Sequence, residues 1–426
     1  MNASGKDLDV TMQRIGAAAR SASRVLVKTD KSQRSAALHA MSQSIMACEK
    51  SILAANARDL EMAVASGAKS AFADRLKLTS ASLQGMAKGI ETVAWLPDPV
   101  GDAEAEWTRP NGLKISRVRV PIGVIGIIYE SRPNVTGDAA ALSVKAGNAV
   151  ILRGGSEAMG SALAIRDAIA VGLLRVGLPA EAVQVVPTND RAAVGQMLSG
   201  LGGTIDVIIP RGGKSLVARV QKEARVPVLA HLDGNCHVYV DKSADITKAV
   251  EIVLNSKMRR VSVCGAAETL LVDAAGASRL LRPLVTALLE ADCEVRGDRI
   301  TQTIDPRVHA AVEEDWYTEF LDAVIAVKIV EGVEGAILHI GKYGSAHTES
   351  IVTEDFAAAE TFLREVDSAI VLHNASTQFA DGAEFGFGRD LKTANHKTAG
   401  RCRDSSPASD IQGRCLLTRE YRRKDA

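Results

Sequence analysis

The sequence predicts an α/β fold that contains parallel β-sheets. Its 426 residues are 46% hydrophobic, which is enough to bury a large core in two or three domains. Short apolar runs alternate with stretches of helical periodicity, as expected for parallel strands covered on both faces by helices. This alternation begins near Val124 and starts a second time near Val226. We therefore expect two β/α series, each with its own sheet.

The elements follow from local periodicity. Residues 8 to about 97 are predicted to be helical, because Ala, Leu, Met, Lys and Glu recur at helical spacing and Gly and Pro are scarce. Alternating apolar residues from Asn111 to Val120 predict a hairpin strand. The first series is predicted to hold strands at 124–129, 149–152, 183–186 and 205–209, a polar turn at 130–138, and helices at 139–146, 158–176 and 191–199. The second series is predicted to hold strands at 236–240 and 323–327 and a return to the first domain from about Ser350.

The composition excludes several classes of protein. Lys+Arg and Asp+Glu balance at 51 each, so no global charge favours nucleic acid or an acidic membrane. The N-terminus has no apolar signal core, and no apolar run reaches the ~20 residues of a membrane-spanning helix. The cysteines show neither CxxC nor a paired metal spacing, which suits a reducing compartment. We expect a soluble, cytoplasmic protein without a metal; the cysteines are Cys48, Cys236, Cys264, Cys293, Cys402 and Cys415.

One cysteine has the context of a nucleophile. Residues 255–273 read NSKMRRVSVCGAAETLLVD and place Cys264 at a glycine-bearing junction, after a basic pair and before an apolar β-run. A thiolate is a strong nucleophile near neutral pH, and nearby positive charge favours it. The segment predicts a catalytic thiol at Cys264.

Two strand–glycine–helix junctions are candidate phosphate sites. They read ILRGGSEA at 151–158 and IPRGGKSL at 209–216. Helix N-termini present unpaired N–H groups that attract phosphate, although each junction alone is also a common β–α turn. Two of them in one parallel sheet favour a dinucleotide site.

The nucleophile segment as a whole resembles that of the γ-glutamyl phosphate reductases, a branch of the aldehyde dehydrogenase superfamily. The resemblance extends from the N-terminal helices to about Gly388. It implies an aldehyde dehydrogenase-like fold of two parallel-sheet α/β domains with a small β oligomerisation element. The implied parts are an NADP-binding domain at 1–229 with a return segment at about 350–388, a catalytic domain at 230–349, and an oligomerisation hairpin at about 105–120.

The resemblance also implies cofactor-binding residues. Arg153 occupies the position of the cation that holds the adenosine ribose, and with Ser156 it suits a 2′-phosphate, which favours NADP(H). Glu157 is counter-evidence, since an inward carboxylate would repel that phosphate. The turn at 209–216 corresponds to a cofactor-binding glycine turn, represented by Gly212 and Gly213.

Further site residues follow from three other segments. YESRPNVT at 129–136 resembles the segment whose asparagine steadies an oxyanion, which assigns that role to Asn134, although Asn beside Pro is more commonly a turn residue. Arg132 could pair with a substrate carboxylate or phosphate. In EDWYTEFL at 314–321, Glu319 corresponds to the carboxylate that binds the nicotinamide ribose. His347, in the segment 343–353, is a candidate substrate-binding residue, and the segment 374–382 also resembles a family motif near the substrate.

The implied reaction is reductive. In AHLDGNCH at 230–237, His231 stands where oxidising aldehyde dehydrogenases carry a general-base glutamate. An enzyme that reduces an acyl phosphate needs no base to activate water. The resemblance therefore implies NADPH-dependent reduction of γ-glutamyl phosphate to glutamate 5-semialdehyde and phosphate through a cysteine thioester, in proline biosynthesis. It also implies a homo-oligomer and allows functional coupling to glutamate 5-kinase.

The C-terminal tail departs from the family pattern. From Arg389 the chain is polar and basic without sustained apolar periodicity, and only residues 417–421, LTREY, weakly resemble the family's closing strand. The break suggests a reading-frame change or true divergence. We expect the tail at 389–426 to be poorly ordered, because it buries too little apolar surface to offset its ordering entropy. Two alternatives therefore stay open: an inactive or impaired NADP-binding homologue, or another oxidising or acylating aldehyde dehydrogenase.

Overall fold

A computed structural model describes residues 5–67, 70–130, 132–230, 232–381 and 418–425. The chain divides into two compact units, Met1–Ala230 with Arg414–Ala426, and His231–Gly413. Within the described ranges, no helix combines the length and apolarity needed to cross a membrane.

The first unit begins with helices. Their starts carry local caps: the Asp30 carboxylate accepts a hydrogen bond from the Gln33 backbone N–H at 2.8 Å, and Thr79 forms a capping box with Ser82. The helices before the first strand are α1 (Gly5–Leu26), α2 (Lys31–Ala47), α3 (Glu49–Ala65), α4 (Ser70–Leu76) and α5 (Ser80–Trp95). They match the predicted helical region.

A parallel sheet forms the core of the first unit. The remaining elements of this unit are β1 (Ala103–Thr108), β2 (Lys114–Pro121), β3 (Val124–Tyr129), α6 (Val135–Lys145), β4 (Ala149–Arg153), α7 (Met159–Arg175), β5 (Val183–Val185), α8 (Ala192–Leu198), β6 (Val207–Arg211) and α9 (Lys214–Glu223). The sheet has the order β5-β4-β3-β6, and every residue of β3 and β4 is buried. Continuous burial explains why these strands read as unbroken apolar runs.

Helix α6 begins inside the segment predicted as a polar turn. The prediction placed the helix start at residue 139, and the structure places it at Val135. Gly137 lies against Met86, whose Sδ would be 2.6 Å from a side-chain Cβ at that position. Because Gly137 has no side chain, the first turn of α6 can pack against α5. The polar residues of this segment gave no sign of that packing, so the predicted helix began too late.

The second unit holds a larger parallel sheet. Its elements are β7 (Cys236–Val240), α10 (Ile246–Met258), β8 (Ala267–Asp273), α11 (Ala277–Glu290), β9 (Glu294–Gly297), β10 (His309–Ala310), β11 (Val324–Val330), α12 (Gly332–Tyr343), β12 (Thr348–Val352), α13 (Phe356–Glu365) and β13 (Ile370–His373). The strand order is β10-β9-β11-β8-β7-β12-β13. Alternate residues of β8 face opposite sides, with Leu270 in the core beneath α10 and α11 and Leu271 in the core beneath α12 and α13. Both faces of this sheet are therefore covered, as predicted.

The predicted return of residues 350–388 to the first domain is wrong for its described part. Strand β12 pairs in parallel with β7, and β13 pairs in parallel with β12, so both belong to the second sheet. All five residues of β12 are buried. The register Ser350↔Val238 fixes this run beside β7, the first strand of the second unit, a long-range pairing that local sequence does not encode.

A third, antiparallel sheet contains β1, β2 and the last strand, β14 (Thr418–Asp425). Strand β14 pairs along β2 from Thr418↔Pro121 to Asp425↔Lys114. Residues 418–425 of the tail, for which we expect poor order, thus form a paired strand, while residues 382–417 lie outside the described part of the chain. Pairing with an open strand edge uses backbone groups, so a polar sequence can supply the partner.

A buried ion pair joins α10 to β8. Lys257 Nζ lies 2.5 Å from Glu268 Oε2, and both side chains are fully buried. The second carboxylate oxygen accepts a hydrogen bond from the Leu321 backbone N–H at 3.3 Å. Burial raises the pKa of Glu268 to about 7, against the opposing effect of Lys257. The pair closes the base of the loop that carries Cys264.

Breaking this pair should destabilise the protein strongly. We expect Lys257→Met to lower the free energy of unfolding by about 3–5 kcal/mol, because Glu268 would remain buried without its cation. The double variant Lys257→Met/Glu268→Leu should recover most of this loss. The matched control is Lys248→Met on the same helix, whose exposed pair with Glu354 should contribute less than about 1 kcal/mol. Urea unfolding of the four proteins measures the differences, and similar losses in Lys257→Met and Lys248→Met would contradict the expectation.

Candidate active site

The candidate nucleophile lies in a tight turn between α10 and β8. The Ala266 backbone N–H donates to the Val263 carbonyl at 2.9 Å, so Cys264 and Gly265 are the two central residues of the turn. Cys264 is half-buried. A short turn on a buried sheet holds a reactive side chain in a narrow range of positions.

The segment that leads into β7 holds the Cys264 carbonyl in place. A side-chain Cβ at Gly234 would lie 2.1 Å from the Cys264 carbonyl oxygen, so only glycine fits there. The Cys236 thiol donates to the same oxygen at 3.1 Å. The Glu319 carboxylate accepts a hydrogen bond from the Gly234 backbone N–H at 2.9 Å. Glu319, the predicted ribose ligand, therefore binds the backbone of Gly234, the residue that lies against the Cys264 carbonyl.

The other described cysteines are poorer candidates. Burial raises the pKa of Cys236 well above the usual range and that of Cys293 to about 12, so both thiols stay protonated. Cys48 is half-buried but ends a helix, without a glycine turn beside it. Because Cys264 is partly exposed and stands in a turn beside a glycine, it is the best candidate for a nucleophile among the described cysteines.

The C-terminal end of α10 is capped by a side chain that the sequence analysis did not single out. The Gln378 amide nitrogen donates to the carbonyls of Ser256 at 2.9 Å and Arg260 at 3.2 Å. These contacts satisfy helix-end carbonyls just before the Cys264 turn. The segment 374–382 matches the family but offers no local signal that its glutamine caps a helix more than a hundred residues away.

His347 is a buried neighbour of Cys236. Its side chain is 1% exposed, and Nδ1 lies 3.6 Å from Cys236 Sγ and 2.9 Å from Thr348 Oγ1. These contacts place His347 beside the thiol of Cys236, and its role in substrate binding stays a prediction.

The predicted cofactor residues of the first unit lie at one edge of its sheet. Strands β4, β3 and β6 are neighbours, and Arg153, Glu130 and Gly212 stand at or just after their carboxyl ends. The chain continues from β3 to β4 on one side, whereas β6 adds on the other side. Ligands of open α/β sheets bind at such a reversal.

Asn134 is free of a capping role. It precedes α6 with helical backbone angles, and its side chain is exposed and makes no capping hydrogen bond. The following turn is anchored by Thr136, whose hydroxyl lies 2.8 Å from the Tyr129 hydroxyl in a buried contact. An exposed amide on an anchored turn suits an oxyanion donor, and that role stays a prediction. Arg132 is likewise exposed, and its predicted role is untested.

Arg153 is buried at the end of β4. Its exposed fraction is 8%, Nη1 donates to the Gly154 carbonyl, and no described residue accepts a hydrogen bond from Nε. Burial lowers the pKa of the guanidinium while the charge of Glu157 raises it, and the group remains a cation because arginine does not deprotonate in proteins. Neighbouring Ser156 is exposed. The pair suits an anionic ligand.

The helix after Arg153 does not offer the phosphate site that its sequence predicts. Asp59 is 2% exposed, and its carboxylate accepts hydrogen bonds from the backbone N–H of Gly160 at 3.2 Å and of Ser161 at 2.7 Å. A buried carboxylate already occupies the N-terminus of α7. The prediction for that helix start is wrong, because an acidic residue from α3 provides the cap.

The second glycine turn is also contacted by a carboxylate, but an exposed one. Glu130 Oε2 accepts a hydrogen bond from the Gly213 backbone N–H at 3.0 Å, and a Cβ at Gly212 would lie 2.6 Å from the Glu130 carboxyl carbon. Gly212 and Gly213 are exposed at the start of α9. The turn therefore has the shape and the N–H groups for a phosphate, next to a negative side chain that the sequence analysis did not single out.

Two further predictions concern groups around the site. Among the residues that the structure describes, no cluster of three or more His, Cys, Asp or Glu side chains could hold a metal ion. His231, at the position of the general base, lies outside the described residues.

Comparison with known proteins identifies the family of this chain. The family described as "Aldehyde dehydrogenase family" matches residues 6–314. A γ-glutamyl phosphate reductase of Parvibaculum lavamentivorans is 60% identical over 397 residues, covering 93% of this chain and 94% of that protein. One of Methylocella silvestris is 58% identical over 420 residues, covering 99% and 96%.

A solved structure has the same architecture. The γ-glutamyl phosphate reductase of Thermotoga maritima superposes with a TM-score of 0.91 at 40% identity, covering 97% of this chain and 98% of that one. An acetylating aldehyde dehydrogenase of Geobacillus thermoglucosidasius, with a TM-score of 0.63 at 18% identity and coverage of 99% and 97%, shares the fold. The chain therefore belongs to the aldehyde dehydrogenase family and, within it, to the γ-glutamyl phosphate reductases.

Proposed function

We propose that this protein reduces γ-glutamyl phosphate to glutamate 5-semialdehyde and phosphate with NADPH, through a thioester on Cys264. The observation that carries the proposal is the half-buried Cys264, in a turn whose Cys264 carbonyl is held between Gly234 and Cys236. The chain that contains it is 60% identical to a γ-glutamyl phosphate reductase. We extend the proposal to a cytoplasmic homo-oligomer, in line with the family resemblance and with a cysteine spacing that suits a reducing compartment.

The chemistry that falls to this chain is nucleophilic. The Cys264 thiolate attacks the acyl carbon, the carbon–oxygen bond to phosphate breaks, and phosphate leaves with the bonding electrons. The nicotinamide, when bound, supplies the hydride that reduces the resulting thioester. The carbon–sulfur bond then breaks, the aldehyde is released and Cys264 regains its thiolate. The exposed amide of Asn134 is the proposed donor to the carbonyl oxygen at each tetrahedral stage.

The proposed cofactor residues fit a dinucleotide. Buried Arg153 has an Nε without an acceptor among the described residues, and exposed Ser156 stands beside it for a 2′-phosphate. Gly212 and Gly213 are exposed at the start of α9, where a phosphate would replace the Glu130 carboxylate as the acceptor of the Gly213 N–H. Half-buried Glu319 is the proposed ribose ligand.

Removing the nucleophile should abolish the reaction. We expect Cys264→Ala to lower turnover by at least about 1000-fold while NADPH affinity is retained, because the thiol is needed for chemistry but not for cofactor binding. Turnover is measured from NADPH absorbance and affinity from fluorescence titration. The control is Cys48→Ala, which removes the other half-buried thiol. Substantial residual turnover in Cys264→Ala would refute the thioester mechanism.

The cofactor preference should depend on Arg153. We expect tighter binding of NADPH than of NADH, and we expect Arg153→Gln to reduce that preference by about tenfold or more, the value of one charge-assisted hydrogen bond. The matched control is Arg166→Gln on α7, a half-buried arginine already paired with Asp167. Equal affinities for the two cofactors in the unchanged protein would overturn the assignment.

The reverse reaction separates this function from its rivals. Reduction of NADP⁺ by glutamate 5-semialdehyde should require inorganic phosphate, because phosphate is the group that releases the acyl chain from Cys264. An oxidising aldehyde dehydrogenase would proceed with water alone, and a CoA-acylating enzyme would require CoA. A protein that binds NADPH but shows no turnover under any of these conditions would be the impaired homologue.

A further inference from the structure

The two cysteines at the active site are close to each other, and only one of them is in the proposed mechanism. Cys264 is half-buried, whereas Cys236 is fully buried with its Sγ 3.1 Å from the Cys264 carbonyl oxygen. We propose that Cys236 is a positioning residue that holds the Cys264–Gly265 peptide in one of two orientations open to the turn. The inference rests on the proposed role of Cys264 as the nucleophile.

The turn that carries Cys264 has two low-energy forms. It spans Val263 to Ala266 and is closed by a hydrogen bond of 2.9 Å. Type I and type II turns share this hydrogen bond and differ by a flip of the central peptide, which is here the Cys264–Gly265 bond. Type II requires a positive φ at the third residue, which glycine adopts without steric cost. Gly265 thus permits the flip, yet its φ lies outside the left-handed region in this structure, so the turn is in the unflipped form.

The hydrogen bond from the Cys236 thiol opposes the flip. The carbonyl and N–H of a peptide point in opposite directions, so fixing the Cys264 carbonyl fixes the whole peptide plane. The thiol of Cys236 donates to that carbonyl, and the bare Cα of Gly234 leaves room for it. His347 Nδ1 lies 3.6 Å from Cys236 Sγ, farther than the carbonyl oxygen, and the Thr348 backbone N–H donates to the same sulfur.

The protonation state of Cys236 is consistent with this role. Burial and the nearby charge of Glu349 raise the pKa of its thiol, so it keeps the proton that it donates. The flip would rotate the Cys264 ψ by roughly 150° and turn the Gly265 N–H to the other side. The nucleophile would then face a different set of backbone dipoles, without any change in the chain elsewhere.

The test compares Cys236→Ala, which removes the donor, with Cys236→Ser, which keeps one. The rate at which iodoacetamide alkylates Cys264 between pH 6 and 10 reports the reactivity of its thiol without any substrate. Mass spectrometry of the peptide that contains Cys264 measures this rate. We expect a fall of about tenfold in the alkylation rate and in kcat for Cys236→Ala, with KM nearly unchanged, and recovery of most of it in Cys236→Ser. The control for loss of a buried thiol is Cys293→Ala, whose sulfur contacts the Glu294 carbonyl instead.

A double variant tests the flip itself. Alanine at residue 265 disfavours the positive φ of the flipped turn, and its Cβ would lie 3.2 Å from the Thr377 carbonyl oxygen, a tight but limited contact. If Cys236 acts by preventing the flip, Cys236→Ala should slow alkylation less in the Gly265→Ala background than in the unchanged protein. Equal slowing in both backgrounds, unchanged alkylation in Cys236→Ala, or failure of serine to rescue would each overturn the inference.

The two proposals can fail separately. Full turnover in Cys264→Ala would remove the proposed mechanism, while the alkylation rates would still report the orientation of the turn. Conversely, a loss of turnover in Cys264→Ala together with unchanged alkylation in Cys236→Ala would retain the mechanism and remove the role of Cys236.

Discussion

The contact between Gly234 and the Cys264 carbonyl constrains the candidate active site more than any other described interaction. A Cβ at residue 234 would overlap the Cys264 carbonyl oxygen, so only glycine, which has no side chain, fits at this position. This contact lets the Cys236 thiol reach the same oxygen and places the Gly234 N–H against the Glu319 carboxylate. The buried Lys257–Glu268 pair joins the two ends of the loop that carries Cys264. Gln378 caps the end of α10, where this loop begins.

The candidate sites of the two sheets lie at opposite ends of the strands, at the carboxyl ends in the first unit and at the amino ends in the second. In the first unit, the predicted cofactor residues stand at or just after the carboxyl ends of β4 and β6, where ligands of open α/β sheets usually bind. In the second unit, Cys236 begins β7 and Cys264 precedes β8, so the candidate nucleophile lies at the amino ends of these strands. The carboxyl edge of that sheet is closed by its own hydrogen bonds: Asp241 accepts from Ser243 and Thr353, and Tyr239 donates to Asp273. Satisfied carboxylates leave little for a ligand there.

Sequence reasoning succeeded where the signal is local and failed where a partner is distant. The alternation of apolar runs and helices predicted the parallel strands, because burial on both faces imposes unbroken hydrophobicity. The pairing of β12 with β7 and of β14 with β2 joins strands that are far apart in the chain. Local sequence patterns do not predict such pairings. Glu130 and Asp59 were missed for the same reason, since a carboxylate that contacts a helix start far along the chain leaves no mark beside that helix.

These two carboxylates also separate the helix starts that looked alike in sequence. Asp59 is buried and accepts from two N–H groups and one hydroxyl of α7, so its removal would leave buried donors unsatisfied. Glu130 is exposed and contacts α9 through one backbone N–H, so water can replace that contact at small cost. An incoming phosphate can therefore displace Glu130 from α9 but not Asp59 from α7. Of the two glycine junctions, the one at Gly212 and Gly213 is therefore the better candidate for the predicted phosphate site, and the role of Arg153 stays a prediction.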